Sequence, residues 1–144
     1  MKLLQMCDDT PASVTPETSV AAAIRLMVDR HVGAVAVVDS EQRVTGIFTE
    51  RDVLRKVALS GRDPNAIPVA ELMTRPVEMA TTETTAGEAL NAMVDAHFRH
   101  LPIVDSHGRL LGMLSVRNLL QARIDDLTHQ LDSIEQYAND SPGG

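Results

Sequence analysis

The chain has 144 residues, 44% of them apolar, a net charge of −7, one cysteine, and only Phe48, Phe98 and Tyr137 as aromatic side chains. A chain of this length buries roughly two-thirds of its unfolded surface, so its core has to be aliphatic and filled with methionine. The acidic balance argues against non-specific binding to nucleic acid or an anionic membrane, no apolar run approaches the ~18 residues of a membrane span or forms a signal-peptide core, and the lone Cys7 excludes an internal disulfide and suits a reducing cytoplasm.

Residues 15–55 lie on residues 81–121 without a gap, with about a third of the pairs identical, among them Asp29 and Asp95, His31 and His97, Gly46 and Gly112, Arg51 and Arg117. Two copies of a unit too short to bury a core alone are expected to pack about a pseudo-two-fold axis and leave two equivalent clefts.

The first copy opens on an extended piece at Ala12, Ser13 and Val14. A helix follows, with Val20, Ile24, Met27 and Val28 on one face at helical spacing. Ala34 to Val38 reads as a strand, Asp39 to Gln42 as a turn, and Val44 to Phe48 as a second strand in which Gly46 marks a close backbone approach. A second helix starts near Glu50. Residues 61–68 form a linker after the first copy, residues 1–60; Gly61 suits a helix C-cap and Pro68 the start of a short helix through Met73.

The second copy, residues 69–123, repeats the order. Its extended piece falls at Glu78, Met79 and Ala80, and its helical stripe is Ala86, Leu90, Met93 and Val94, with Thr85 and Glu88 spaced as a capping box. Strands follow at Leu101 to Val104 and Leu110 to Leu114, and a helix begins near Val116. The fold class is therefore mixed α/β, two β-α-β-β-α repeats plus a C-terminal helix. That helix, residues 124–139, continues a heptad seam of Leu120, Ile124, Leu127, Leu131, Ile134 and Ala138, which favours a partner over packing on its own domain. Residues 140–144 read as a disordered tail.

Chemistry concentrates at the junction of second strand and second helix, Gly46-Ile47-Phe48-Thr49-Glu50-Arg51-Asp52. Thr49 and Asp52 have capping-box spacing. The same geometry offers a helix N-terminus to an anion and a carboxylate to the two hydroxyls of a ribose. The second copy has Ser115, Val116, Arg117 and Asn118 there. An amide caps nearly as well as a carboxylate but clamps a diol less well, so on the second reading the clefts are unequal. His31 and His97, each two residues after an aspartate, suit helix C-caps better than metal ligands, and His107 and His129 lack ligand spacing. No phosphate loop, nucleophile elbow or metal cluster supports an enzyme.

The two gapless repeats, the Gly-x-x-Thr-x-x-Asp junction, Met73-Thr74-Arg75-Pro76, and the run Phe98-Arg99-His100-Leu101-Pro102-Ile103-Val104-Asp105 together closely resemble the cystathionine-β-synthase (CBS) domain pair, or Bateman module. The resemblance implies a non-catalytic regulatory module that binds an adenosine-containing ligand (AMP, ADP, ATP, NAD or S-adenosylmethionine) between its copies and signals by conformational change, and a homodimer of two modules in a flat disc acting on an effector protein. It assigns Asp52 to the ribose, Thr49 to ribose or phosphate, and Arg99 and His100 to phosphates near the pseudo-axis, although adjacent strand residues face opposite ways. Arg51 lies beside the same site or in solvent. Ser13 and Met79 fall at positions lining the base pocket, and Ser115 and Asn118 depart from the pattern, so one good nucleotide site and one weak or empty one are expected. A structural dimerisation module that binds no ligand is the alternative.

Overall fold

The computed structural model of the chain describes residues 2–7 and 10–140. In chain order the elements are α1 (Leu3–Met6), β1 (Ser13–Val14), α2 (Val20–Arg30), β2 (Ala34–Val38), β3 (Val44–Thr49) and α3 (Glu50–Asp52), which passes into a π-helical turn at Val53–Val57. Then come α4 (Val69–Leu72), β4 (Ala80–Thr81), α5 (Ala86–Ala96), β5 (His100–Val104), β6 (Leu110–Ser115) and α6 (Val116–Asp140). The β-α-β-β-α order holds in both copies. Of the tail read from Asp140, residues 141–144 lie outside the described residues, and Asp140 is the last residue of α6.

Each copy forms a three-stranded sheet, in the orders β1-β2-β3 and β4-β5-β6. The first strand runs parallel to the second and the second antiparallel to the third, with a bulge at Val37/Val38 matched at Ile103/Val104. β2 is buried along its whole length, as its unbroken Ala-Val-Ala-Val-Val run requires. The sheets meet at their hairpin turns through a reciprocal pair of bonds: the Val44 amide donates to the Gly108 carbonyl at 3.0 Å and the Leu110 amide to the Gln42 carbonyl at 2.9 Å. Since Val44 is the equivalent of Leu110 and Gln42 of Gly108, these bonds are related by the pseudo-two-fold axis.

The opening strands differ. In the first copy the Ala36 amide donates to the Ala12 carbonyl at 3.0 Å. Its equivalent in the second copy is Pro102, which has no N–H, so the ladder starts one residue later and β4 pairs Ala80 with Ile103. The extended piece read at Glu78 and Met79 is not strand, and Met79 is exposed.

Ser19 caps α2 by accepting from the Ala22 amide at 3.1 Å. α2 and α5 end on the predicted histidines, His31 at φ 54° and His97 at φ 60°, so the left-handed backbone stops them. Thr85 accepts from the Glu88 amide, but the Glu88 carboxylate accepts from the Thr85 hydroxyl at 3.0 Å. Most of each expected stripe faces the core, with Val20, Met27 and Met93 buried and Ile24, Ala86 and Leu90 packed against it, but Ala23 and Ala89 are fully buried beside them whereas Val28 and Val94 are 65% and 62% exposed. Small alanines let these helices settle close to the sheets.

The cores cross the sequence repeat. Val35, Val37 and Phe48 pack with Ile67 of the linker and with Val69 and Met73 at the opening of the second copy, while Leu101, Ile103 and Leu114 pack with Leu3 and Met6 of α1. Each opening helix thus lies on the other copy's sheet. Gly46 and Gly112 admit it: a Cβ on Gly46 would lie 2.3 Å from Met73 Sδ, and one on Gly112 3.1 Å from Leu4 Cδ2. The turns are tied by aspartates. Asp39 accepts from the amides of Glu41 and Arg43, and Asp105 from those of His107 and Arg109.

Gly46→Ala is expected to destabilise the protein by about 1–3 kcal/mol through overpacking, and Gly46→Ala/Met73→Ala to cost less than the two single changes summed, measured by urea unfolding. The backbone amide of Arg43, with that of Glu41 and the Arg43 guanidinium, holds the Asp39 carboxyl below its ordinary 3.8, and the amides of Arg109 and His107 with the Arg109 guanidinium do the same for Asp105. A depressed folded-state value contributes stability above the unfolded value that is lost as pH falls through the folded one. Asp39→Ala/Asp105→Ala should therefore flatten the fall of Tm with pH below about pH 3.8.

Candidate functional site

Two clefts open between the repeats, of about 820 and 1170 Å³. Thr49, Arg51 and Asp52 line the smaller one, together with Lys56, Thr74, Pro76 and Phe98; Ser115, Arg117 and Asn118 line the larger. Gly33, Glu50, Leu54, Arg99 and His100 line both and form the wall between them. The larger cleft is the one without a carboxylate at the junction. Ser13 and Met79 are in neither lining: Ser13 is tied into β1 beside Ala36, and Met79 lies outside β4 with its side chain exposed.

Asp52 is the one charged residue among the buried ones described, at 4% exposure. Its Oδ2 accepts from the Thr49 amide at 3.0 Å and the Thr49 hydroxyl at 3.3 Å, and the Thr49 hydroxyl accepts from the Asp52 amide at 3.3 Å. The capping box read from the sequence is therefore present. Its Oδ1 accepts from the Thr74 hydroxyl at 2.8 Å and pairs with Lys56 Nζ at 3.0 Å. Lys56 also donates to the Leu72 carbonyl at 2.9 Å. Lys56 follows Asp52 by four residues, a spacing that places the two together on a helix. Thr74 had no such signal. Its segment bridges to β3 through the Thr74 amide to the Ile47 carbonyl at 2.7 Å and the return bond at 3.1 Å.

The second junction is simpler. The Asn118 amide donates to Ser115 Oγ at 3.0 Å, and no reciprocal bond from the Ser115 amide to the Asn118 side chain is present among the described residues.

Arg51 is exposed at the edge of the smaller cleft, and its Nη1 donates at 3.0 Å to the carbonyl of His97, the residue ending α5 in the other copy. Arg99 precedes β5, so strand alternation does not separate it from His100, and both reach the wall of both clefts. Gly33 makes room for Glu50 and His100, since a Cβ there would fall 2.2 Å from Glu50 Oε1 and 2.9 Å from His100 Cε1. Burial holds the His100 imidazole below its ordinary 6.5; Glu50 opposes that and Arg99 adds to it. His100 is therefore neutral at neutral pH, and Arg99 carries the charge of this pair. The smaller cleft gathers Arg51, Arg55, Lys56 and Arg99 against Glu50, Asp52 and Glu78, a lining that suits an anionic ligand with hydroxyls. Among the described residues there is no group of three or more His, Cys, Asp or Glu that fits a metal ion, and no helix is long and apolar enough to cross a membrane.

The CBS domain family matches residues 5–59 and 69–125. The chain belongs to that family, as a tandem CBS pair. It is 39% identical over 129 residues to an uncharacterised 17.7 kDa protein of Acidianus ambivalens, covering 90% of this chain and 77% of that one. It is 32% identical over 127 residues to the mitochondrial CBS domain-containing protein CBSX3 of Arabidopsis thaliana, covering 85% of this chain but only 61% of the relative. Among solved structures, a protein with CBS domains from Burkholderia ambifaria superposes with a TM-score of 0.79 at 34% identity, over 88% of this chain and 96% of that one. CBSX2, solved in complex with AMP, superposes with a TM-score of 0.76 at 25% identity, over 86% and 97% of the two chains.

Because the capping box and the Thr74 tie converge on one carboxylate, Asp52→Ala is expected to destabilise the unliganded protein by about 1–3 kcal/mol. Asn118→Ala, with no reciprocal bond to lose, should cost less than half as much. Urea unfolding of the two variants makes the comparison.

Proposed function

We propose that this CBS pair is a non-catalytic regulatory module that binds one adenosine-containing ligand, AMP, ADP, ATP or NAD, in the smaller cleft and signals by conformational change. The observation that carries the reading is the buried Asp52 in the single turn of α3, walled by Arg51, Arg55, Lys56 and Arg99. Asp52 would take the ribose hydroxyls, Thr49 ribose or phosphate, and Arg99 the phosphates, with neutral His100 as a hydrogen-bonding partner. The AMP complex of CBSX2 supports the ligand class. The larger cleft, with Ser115 and Asn118 in place of Thr49 and Asp52, is proposed as weak or empty. The module would act as a cytoplasmic homodimer, through the CBS disc and the C-terminal helix, on an effector protein.

One observation favours a second reading, a structural dimerisation module that takes no ligand. Both oxygens of Asp52 already have partners, Oδ1 in Thr74 and Lys56 and Oδ2 in Thr49.

A thermal-shift panel separates the two: AMP, ADP, ATP, NAD and S-adenosylmethionine, with GTP as control, on the unmodified chain and on Asp52→Asn. A ligand at ~100 times its Kd adds about 2.7 kcal/mol, a rise of several degrees for a chain of this size. The sensor reading expects that rise with an adenosine ligand and its loss in Asp52→Asn, which keeps an acceptor for the Thr49 amide. No rise with any ligand, or an equal rise in the variant, would refute the ribose role of Asp52.

A further inference from the structure

α6 is one continuous helix of 25 residues. Its first turns are held by the module, with Leu119 fully buried and Ala122 at 8% exposure. From Arg123 to Asn139 every residue is exposed. Leu127, Leu131 and Ile134 stand at 57%, 61% and 63% exposure. At ~100° per residue, the seam lies about 130° around the helix from Leu119 and Ala122, clear of the module along its length. A lone helical extension of this kind is marginal in water. Its acidic C-terminal half also opposes its own dipole.

Two features specify what covers it. The seam is a near-palindrome about His129: Leu120, Ile124 and Leu127 on one side mirror Ala138, Ile134 and Leu131 on the other. Charge is divided along the helix as well. Residues 116–123 contain Arg117 and Arg123 and no acid, while residues 124–140 contain Asp125, Asp126, Asp132, Glu135 and Asp140 and no lysine or arginine.

We infer that two copies of the chain pair through α6 as an antiparallel coiled coil centred on His129. This takes up the self-association proposed above and fixes its direction; it does not rest on the nucleotide reading. In that pairing Leu127 layers on the partner's Leu131, Ile124 on its Ile134, and Leu120 on its Ala138, and the symmetry repeats each layer. The arginine-bearing end lies beside the partner's acidic end, and the positive N-terminal end of one helix beside the carboxylates of the other. A parallel pair would set the two acidic halves side by side, with Glu135 at an e position beside the seam. It would also place Leu131 at an a position and Ile134 at d, the arrangement that favours more than two strands. Asp125, Asp126 and Asp132 fall at b and c positions, outside the contact. The antiparallel pair brings the partner's helix end to Leu120, one residue from Gln121 in the wall of the larger cleft.

The test is disulfide trapping in the full chain on a Cys7→Ala background, with light scattering of the unmodified chain. Leu120→Cys/Ala138→Cys should give a covalent dimer on mild oxidation, and each single variant none, because like positions stand about 27 Å apart in the antiparallel pair, far beyond disulfide reach. A covalent dimer from Ala138→Cys alone means a parallel pair and overturns the inference. A dimer by light scattering that the double variant does not trap assigns self-association to the repeats and also overturns it. A monomer at all concentrations removes this inference and the proposed self-association together.

Discussion

The reciprocal bonds between the two hairpin turns are the constraint on which the molecule depends. Val44 to Gly108 and Leu110 to Gln42 join two sheets that each have three strands, and the axis they define sets every other equivalence. A single repeat has too little apolar surface to stand alone. The exchange of opening helices reinforces the pairing, because Leu3 and Met6 complete the second core while Val69 and Met73 complete the first. Neither core closes without residues from outside its own repeat. The paired junctions at Thr49 and Ser115 are thereby turned toward clefts bounded by the opposite copy, which explains why Arg51 of the first copy reaches the carbonyl of His97 in the second.

The backbone is symmetric where the chemistry is not. The wall between the clefts is built from Glu50, Arg99 and His100, whose equivalents are Val116, Gly33 and Ala34. Had both copies carried the larger side chains, they would collide at the axis; Gly33 is the concession that lets Glu50 and His100 approach there. One set of charged groups therefore faces both clefts. The clefts differ in what stands opposite that wall, a buried carboxylate in one and an amide in the other.

Much of this was legible because period and repeat report local structure directly. The five elements of each copy, the histidine helix ends and the Thr49–Asp52 capping box all rest on residues within a few positions of one another, and Gly46 announced a close approach without naming Met73 as what approaches. What the sequence hid is long-range or depends on one missing atom. The shift of β4 away from Met79 follows from the absent N–H of Pro102. The burial of Ala23 and Ala89 in place of Val28 and Val94 follows from how closely a helix settles on a sheet, which a stripe of larger residues does not foretell. Thr74 lies 22 residues beyond Asp52, brought to it only because the opening of the second copy pairs with β3 of the first.

That pairing gives the Asp52 carboxylate a mechanical meaning. A carboxylate offers about four lone-pair sites, and the amide and hydroxyl of Thr49, the hydroxyl of Thr74 and the ammonium of Lys56 occupy them. A diol that bonded to Asp52 would have to displace one of them. Lys56 also holds the Leu72 carbonyl, and Leu72 ends α4, whose neighbour Met73 is packed over Gly46 in the first core. The smaller cleft is thus tied, through one carboxylate, to the segment that opens the second repeat. The size of any response is limited to the difference in ligand affinity between the tied and released arrangements. Among the partners of Asp52, Lys56 and Thr74 are the ones that join the carboxylate to the opening of the second repeat.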